Sequence, residues 1–519
     1  MDTSEFVEFA NATIDFVAEY NLTLRNTNVL SDVEPGYLHK LLPEEAPEKS
    51  ENWQKVLDDV KQYIMPGITH WNSPYFHAYY PAGNSYPSIV AEILSSAIGC
   101  LGFNWIASPA SCTELEVITC NWLGKLLGLP NEFLNCNNGT GGGVIQGSAS
   151  ECTFICLLAA KEYTTRQLKI LHPELDENVI KNKLVLYTSN QSNSSVEKAG
   201  ILGSILTRLL PVDNKCSLRG ETLKKAIQED LEKGLIPCYV VATLGTTGTC
   251  AFDNLDEIGP ICKEFNVWLH VDAAYAGGAF VCPEFRYLMS GVEYADSFNI
   301  NAHKWLLTNF DASVLWLKNS KRFTEAFCVD RIYLSHDKEG LVPEYRNWGI
   351  ALGRRFRSLK LWFVMRIYGV EGLQKYIRHT IKLAQLFEKY VRSDNRFEII
   401  TDVAMGLVCF RIKGDNSLTK KLLDRLIARK KVYLIAATYQ KKLIARFVVC
   451  SRLCQEEDIV FSWNEISSQT NEVLQNKSYQ ESVESLQNHC DDITMEKENL
   501  NSTHEGSFVK SIIDFKNSA

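Results

Sequence analysis

Asn299-Ile300-Asn301-Ala302-His303-Lys304-Trp305 is the stretch on which the reading of this chain turns. The apolar run from Ser297 to Ile300 reads as a strand that ends in polar residues. A histidine and a lysine follow at once, and Trp305-Leu306-Leu307 then resumes the apolar pattern. Open α/β sheets bind ligands outside the carboxyl ends of their strands. A lysine held there among apolar neighbours loses hydration, so its pKa falls and its amine can attack an aldehyde. Taken alone, Lys304 reads as one more solvated lysine. Its companions change that reading.

Outward from this stretch, short apolar runs recur at Leu184 to Tyr187, Ile205 to Leu210, Cys238 to Thr243, Val267 to Val271 and Val314 to Leu317. Helical patterns such as Thr222 to Lys233 separate several of them, which predicts a mostly parallel sheet covered by helices over residues 86–390. Residues 391–475 change texture. Met405 to Ile412 and Ile444 to Cys450 read as strands around the basic amphipathic helix Leu418 to Lys431, a small α+β domain. Residues 1–85 form a helical arm, with apolar spacing over Phe6 to Tyr20 and Trp53 to Ile64. Its apolar faces need a partner, either this chain or a second subunit. Residues 476–519 are rich in Asn, Gln, Ser and Glu and read as a polar tail.

The 519 residues suffice for two or three domains with a large core. A net charge of −8 gives no basic footprint for nucleic acid, and no span of about 18 apolar residues offers a membrane helix. The acidic start, Met1-Asp2-Thr3-Ser4-Glu5, lacks the pattern of a secretory signal, which makes the cytoplasm the expected location. Sixteen cysteines without metal spacing predict reduced thiols and no metal site.

Two further stretches carry chemistry. Gly141 to Ser150 places glycines and the hydroxyls of Ser148 and Ser150 before a helical run from Cys152 to Lys161, where backbone N–H groups can cradle a phosphate. Alone, such a turn is weak evidence, and it is neither a Walker loop nor a dinucleotide fingerprint. Asp272 ends the run Val267 to Val271 and could simply cap a helix; the alternative partner for a carboxylate buried there is a protonated ring nitrogen. A lysine, a carboxylate and a phosphate cup at strand ends are together what pyridoxal phosphate chemistry requires.

With those residues in view, the chain resembles the group II pyridoxal-phosphate amino-acid decarboxylases. The likeness rests on HWNSPYF at 70–76, GGGVIQGSASE at 141–151, VATLGTTGT at 241–249, HVDAAYAG at 270–277, HKWL at 303–306 and GRRFRSLKLW at 353–362. The resemblance implies a type I, aspartate-aminotransferase-like fold and pyridoxal 5'-phosphate as cofactor. It also implies that Lys304 carries the cofactor, Asp272 pairs its ring nitrogen, Ala149, Ser150, Asn301 and His303 hold its phosphate, and Thr247 lies on its hydroxyl side. A homodimer is implied, with Phe103 and a loop from about Cys328 to Glu344, bearing Tyr333, reaching across to the partner's site.

One position departs from the decarboxylase pattern. Members of the family carry a histidine where this chain has Asn193, and that histidine, with the loop tyrosine, helps protonate the α-carbon after carbon dioxide leaves. Asparagine has no such proton to give. Dioxygen can then react, giving an imine that hydrolyses to an aldehyde and ammonia. In this respect the chain resembles insect 3,4-dihydroxyphenylacetaldehyde synthases, which act on L-dopa. Asn190 and Ala302 also depart from the common pattern and Tyr333 is retained, so a plain aromatic-L-amino-acid decarboxylase stays open, as does a non-catalytic relative. Trp71, Tyr79, Tyr80 and Phe103 are expected to wall an aromatic substrate, and Gly353 to leave room for a ring hydroxyl.

Overall fold

Seven short, densely apolar segments pair into one sheet: β1 (Gly142–Gln146), β2 (Leu184–Ser189), β3 (Leu206–Leu210), β4 (Ile236–Thr243), β5 (Trp268–Asp272), β6 (Ser297–Asn301) and β7 (Ser313–Leu317). Their spatial order is β1-β7-β6-β5-β4-β2-β3. The pairs from β3 through β6 are parallel, while β7 runs antiparallel to both of its neighbours. Every strand except the edge strand β3 is buried along almost its whole length, because helices cover both faces, and such strands read as continuous apolar runs. Two core clusters lie on the two sides: Val185, Tyr187 and Val240 on one, Leu184, Leu186 and Val241 on the other. The computed structural model of the protein describes residues 1–136, 139–329 and 331–475. The polar tail expected over 476–519 lies outside the described residues.

The glycine-rich stretch is not all loop, as the sequence reading had it. Gly142 to Gln146 is a strand paired with β7, and only Gly147 and Ser148 turn the chain into the helix Ala149–Leu171. The glycines are there for space: a Cβ on Gly143 would stand 2.6 Å from the Cys120 Cβ and 3.0 Å from the Trp316 ring. Close packing of a neighbouring helix on this strand needs residues without side chains.

A second, antiparallel sheet combines β8 (Phe397–Ile399), β9 (Leu407–Ile412), β10 (Ile435–Tyr439) and β11 (Lys442–Val448) in the order β10-β11-β9-β8. The helix Asn416–Arg429 packs on it. The helix Arg357–Ser393 joins the two units and crosses residue 390: Leu361 and Ile377 belong to the large core, Leu383, Phe387 and Val391 to the small one. The chain breaks helical geometry at Gly369, whose φ of 64° suits a glycine.

The N-terminal arm begins with the helix Thr3–Thr23, fixed by a capping box in which Asp2 and Glu5 satisfy each other's backbone N–H groups. It docks on the small unit of its own chain. Arg25 pairs with the buried Asp458, the Val29 N–H reaches the Lys430 carbonyl, and His77 lies between the Val448 carbonyl and the Ser462 hydroxyl. Phe6, Val7 and Ile14 remain exposed. Among the described residues no helix is long and apolar enough to cross a membrane, and no group of three His, Cys, Asp or Glu side chains is placed to hold a metal ion.

Candidate active site

The carboxyl ends of β4, β5 and β6, the start of the helix Ala149–Leu171 and the segment after Tyr79 enclose a cavity of about 210 Å³. It is lined by Tyr80, Ser148, Ala149, Ser150, Asn193, Ser195, Thr243, Gly245, Thr247, Asp272, Ala274, Tyr275, Asn301 and Lys304. A larger cavity, about 880 Å³, lies between the two units on the far side of the Thr249–Asp256 segment and contains none of these groups.

Lys304 follows β6 by three residues, in a single helical turn, Ala302–Trp305. Its amine lies 5.8 Å from the centre of the Tyr80 ring, which stacks on Tyr275 at 3.7 Å; Tyr275 in turn stacks on Trp305 at 4.6 Å. This aromatic column strips water from the lysine. Burial lowers the Lys304 pKa, and the negative charge of Asp272 opposes that effect without cancelling it. Asp272 is the mirror case. Burial raises its pKa, while Lys304, the Ala274 N–H at 3.0 Å and Asn299 oppose the rise. Each group is thus costly alone and stabilised by the other.

Ser148 caps the helix Ala149–Leu171 by accepting the Glu151 N–H at 3.1 Å, which leaves the N–H groups of the first turn beside the cavity. Two buried oxygens in the lining, Asn301 Oδ1 and Thr243 Oγ1, have no hydrogen-bond partner among the described residues. Orphaned polar atoms around a cavity are what a polar ligand would satisfy. Gly245 holds φ at +91°, and a Cβ there would stand 2.5 Å from the Ala276 Cβ, so the turn that presents Thr247 admits only glycine.

Asn193 caps the helix Ser194–Leu202: its Oδ1 accepts the Ser195 N–H at 2.9 Å and its Nδ2 donates to Thr247 Oγ1 at 2.8 Å. The two contacts fix which end of the amide points where. A group that cannot titrate therefore sits at the cavity's lip in one orientation.

The structure brings Lys304, Asp272, Ala149, Ser150, Thr247, Asn193, Asn301 and Tyr80 together, and places other expected residues elsewhere. His303 is not among the lining residues: its Nδ1 lies 2.9 Å from the Ala312 nitrogen and its ring against Phe310, and burial lowers its pKa to about 4. Trp71 and Tyr79 stack on each other outside the cavity, and the Tyr79 hydroxyl meets that of Tyr433. Phe103 is half-buried, with its carbonyl bound by the Arg346 N–H, while Gly353 is exposed with nothing within 4 Å of a Cβ. Tyr333 is 75 % exposed and lines no part of this chain's cavity. Sequence reasoning missed Ser195, Thr243, Gly245, Ala274 and Tyr275 as lining residues. All but Ser195 lie within the segments VATLGTTGT and HVDAAYAG, so the strand-end rule applied to each whole segment would have found them.

Residues 35–413 match the family described as the pyridoxal-dependent decarboxylase conserved domain. The chain is 56% identical over 476 residues to a 3,4-dihydroxyphenylacetaldehyde synthase of Aedes aegypti, covering 91% of both chains. It is 54% identical over 477 residues to an aromatic-L-amino-acid decarboxylase of Manduca sexta, covering 92% of this chain and 94% of the relative. Among solved structures it superposes on Oryza sativa TDC with PLP and tryptamine at a TM-score of 0.88 and 35% identity, covering 91% of this chain and 99% of that one.

Proposed function

Because the chain belongs to the pyridoxal-dependent decarboxylase family and takes pyridoxal 5'-phosphate as its cofactor, we propose that it is an aromatic aldehyde synthase acting on L-dopa. The reaction balances as L-dopa, dioxygen and water going to 3,4-dihydroxyphenylacetaldehyde, carbon dioxide, ammonia and hydrogen peroxide. Bound pyridoxal phosphate supplies the electron sink that lets the α-carboxylate leave as carbon dioxide.

The chain's own residues divide the remaining work. Lys304, an amine with lowered proton affinity, would hold the cofactor by its aldehyde carbon. Asp272 would pair with the ring nitrogen. Among the lining residues, Ser148, Ala149, Ser150 and Asn301 would hold the phosphate at the helix N-terminus, and Thr247 with Asn193 would lie beside the ring. Tyr80 and the aromatic column keep water away from the lysine.

The observation that carries the reading is the orientation of Asn193. An amide whose oxygen caps a helix and whose nitrogen binds Thr247 can neither store nor relay a proton to the substrate's α-carbon. Protonation to an amine is thereby slowed, and the two electrons are left for dioxygen. The similarity to the Aedes aegypti synthase supports this route. The nearly equal similarity to the Manduca sexta decarboxylase supports a second reading, decarboxylation of an aromatic amino acid to its amine.

A homodimer and a cytoplasmic location belong to the same proposal. The dimer is supported by the apolar face of the helix Tyr86–Ile98, where Tyr86, Val90, Ile93, Leu94 and Ile98 are each about half exposed, between 42 and 56 %. Phe103 and Tyr333 would then serve the partner's site. The test is to incubate purified enzyme with L-dopa in air and quantify aldehyde, peroxide, ammonia and dopamine together. Aldehyde, peroxide and ammonia in equal amounts with little dopamine are expected; dopamine without peroxide selects the second reading.

A further inference from the structure

Behind Asp272, on the side away from the cavity, a buried polar column runs through the core of the sheet. In the parallel pairing of β5 and β6, His270 lies opposite Ser297 and Asp272 opposite Asn299, so these four residues share one face. The column starts at Trp268, whose Nε1–H donates to Ser297 Oγ at 2.9 Å; Ser297 Oγ lies 2.8 Å from His270 Nδ1. Between His270 and Asp272 stand three buried atoms without hydrogen-bond partners among the described residues: His270 Nε2, Asn299 Oδ1 and Asn299 Nδ2. Unpaired buried polar atoms are costly, and since Asn299 interacts with both His270 and Asp272, small rotations of its amide and of the His270 ring would pair all three.

We propose that Asn299 and His270 form a one-way hydrogen-bond relay that holds Asp272 ionised against the ring nitrogen of the bound cofactor, so that both are positioning residues for cofactor binding. Trp268 can only donate, so Ser297 accepts from it; in the relay the Ser297 proton goes to His270 Nδ1 rather than to the Cys156 thiol, which Ser297 also meets. Burial keeps His270 neutral, with its pKa lowered to about 3, so its remaining proton sits on Nε2 and points to Asn299 Oδ1. The amide nitrogen of Asn299 is then left to face the Asp272 carboxylate, whose proton affinity it lowers. The opposite tautomer would turn the amide over and set Oδ1 against a buried carboxylate. The other groups facing Asp272 are Lys304, Tyr239 of β4 and Cys152 of the helix Ala149–Leu171. Of these only Lys304 is cationic, and it is engaged at the cofactor's far end, so Asn299 supplies the donor behind the carboxylate.

The inference rests on Asp272 facing the ring nitrogen, and the experiment separates the two. Apoenzyme prepared from purified holoenzyme is titrated with pyridoxal phosphate and with its analogue carrying C–H in place of the ring nitrogen, for wild type and Asn299→Leu. Wild type preferring pyridoxal phosphate establishes the Asp272 pairing; equal affinities refute that pairing and the relay with it. Given the pairing, Asn299→Leu is expected to raise the Kd for pyridoxal phosphate at least tenfold and to leave that for the analogue within twofold. Equal losses for both ligands, or no loss for either, would overturn the relay, since a purely structural role does not distinguish the two. If Asn299→Leu does not fold, the ¹⁵N spectrum of histidine-labelled wild-type holoenzyme decides, the His270 signal being assigned by His270→Gln. The relay requires the Nε2–H tautomer, and the Nδ1–H tautomer overturns it.

Discussion

At the scale of single residues, the site pairs a lysine and a carboxylate that burial pushes in opposite directions, one toward the free amine and the other toward the acid. Replacing Lys304 with alanine removes the group that holds the cofactor and is expected to abolish the protein's visible absorbance and to slow turnover by about 10²- to 10⁴-fold or more. Absorption spectra and initial rates check this; retained colour and rate would assign the lysine no role. Lys304 and Asp272 were legible in the sequence because Asp272 ends an apolar run and Lys304 closely follows one, and a charged residue near a buried strand end needs a reason to be there. The side chain of His303 was not. Asn301 and Lys304 line the cavity, but a four-residue helical turn rotates successive side chains by about 100°, and the His303 ring meets Ala312 instead. Asn193 was legible only as a departure from a pattern; that it caps a helix and binds Thr247 at once required the fold.

Elements account for the next part of what was hidden. Six of the seven strands of the large sheet follow from short apolar runs, but β1 does not, because glycine-rich sequence carries turn chemistry as its strongest local signal. Its strand identity comes from contacts distant in sequence, with β7 on one side and Cys120 and Trp316 against the missing side chains. Gly143→Ala is therefore expected to destabilise the fold by about 1–3 kcal/mol through overpacking, read as a lowered denaturation midpoint. An unchanged midpoint would mean that the helix Leu115–Leu127, which carries Cys120, can retreat freely. The aromatic-rich segment after residue 70 likewise divided in a way composition could not foretell. Tyr80 enters the cavity, whereas Tyr79, at a φ of 57°, turns its ring outward to Trp71 and Tyr433.

For the whole molecule, the arm, the two sheets and the partner surface matter together. His77 ties the arm to the small unit, stacked on Phe447 at 3.8 Å, and burial lowers its pKa to about 4. An unfolded chain takes up that proton near the ordinary histidine value of 6.5, so the stability His77 contributes is complete above about 6.5 and is lost as pH falls toward 4. Replacing it by glutamine should flatten the acid side of the stability profile by about 1.4 kcal/mol per pH unit in that window, measured by urea denaturation. Asp253 and Asp296, raised by burial to about 6, act in the opposite sense in both proteins, so the difference isolates His77. On the outer face, the double substitution Val90→Asp and Ile93→Asp is expected to convert dimers to monomers in sedimentation and to lower turnover with them; an unchanged sedimentation coefficient would place the interface elsewhere. Where the substrate's electrons go is read from the ratio of dioxygen consumed to carbon dioxide released from L-dopa by wild type and by Asn193→His. A ratio near one is expected for wild type and a markedly lower ratio, with dopamine appearing, for the variant. A wild-type ratio near zero, or equal ratios in the two proteins, would contradict this expectation.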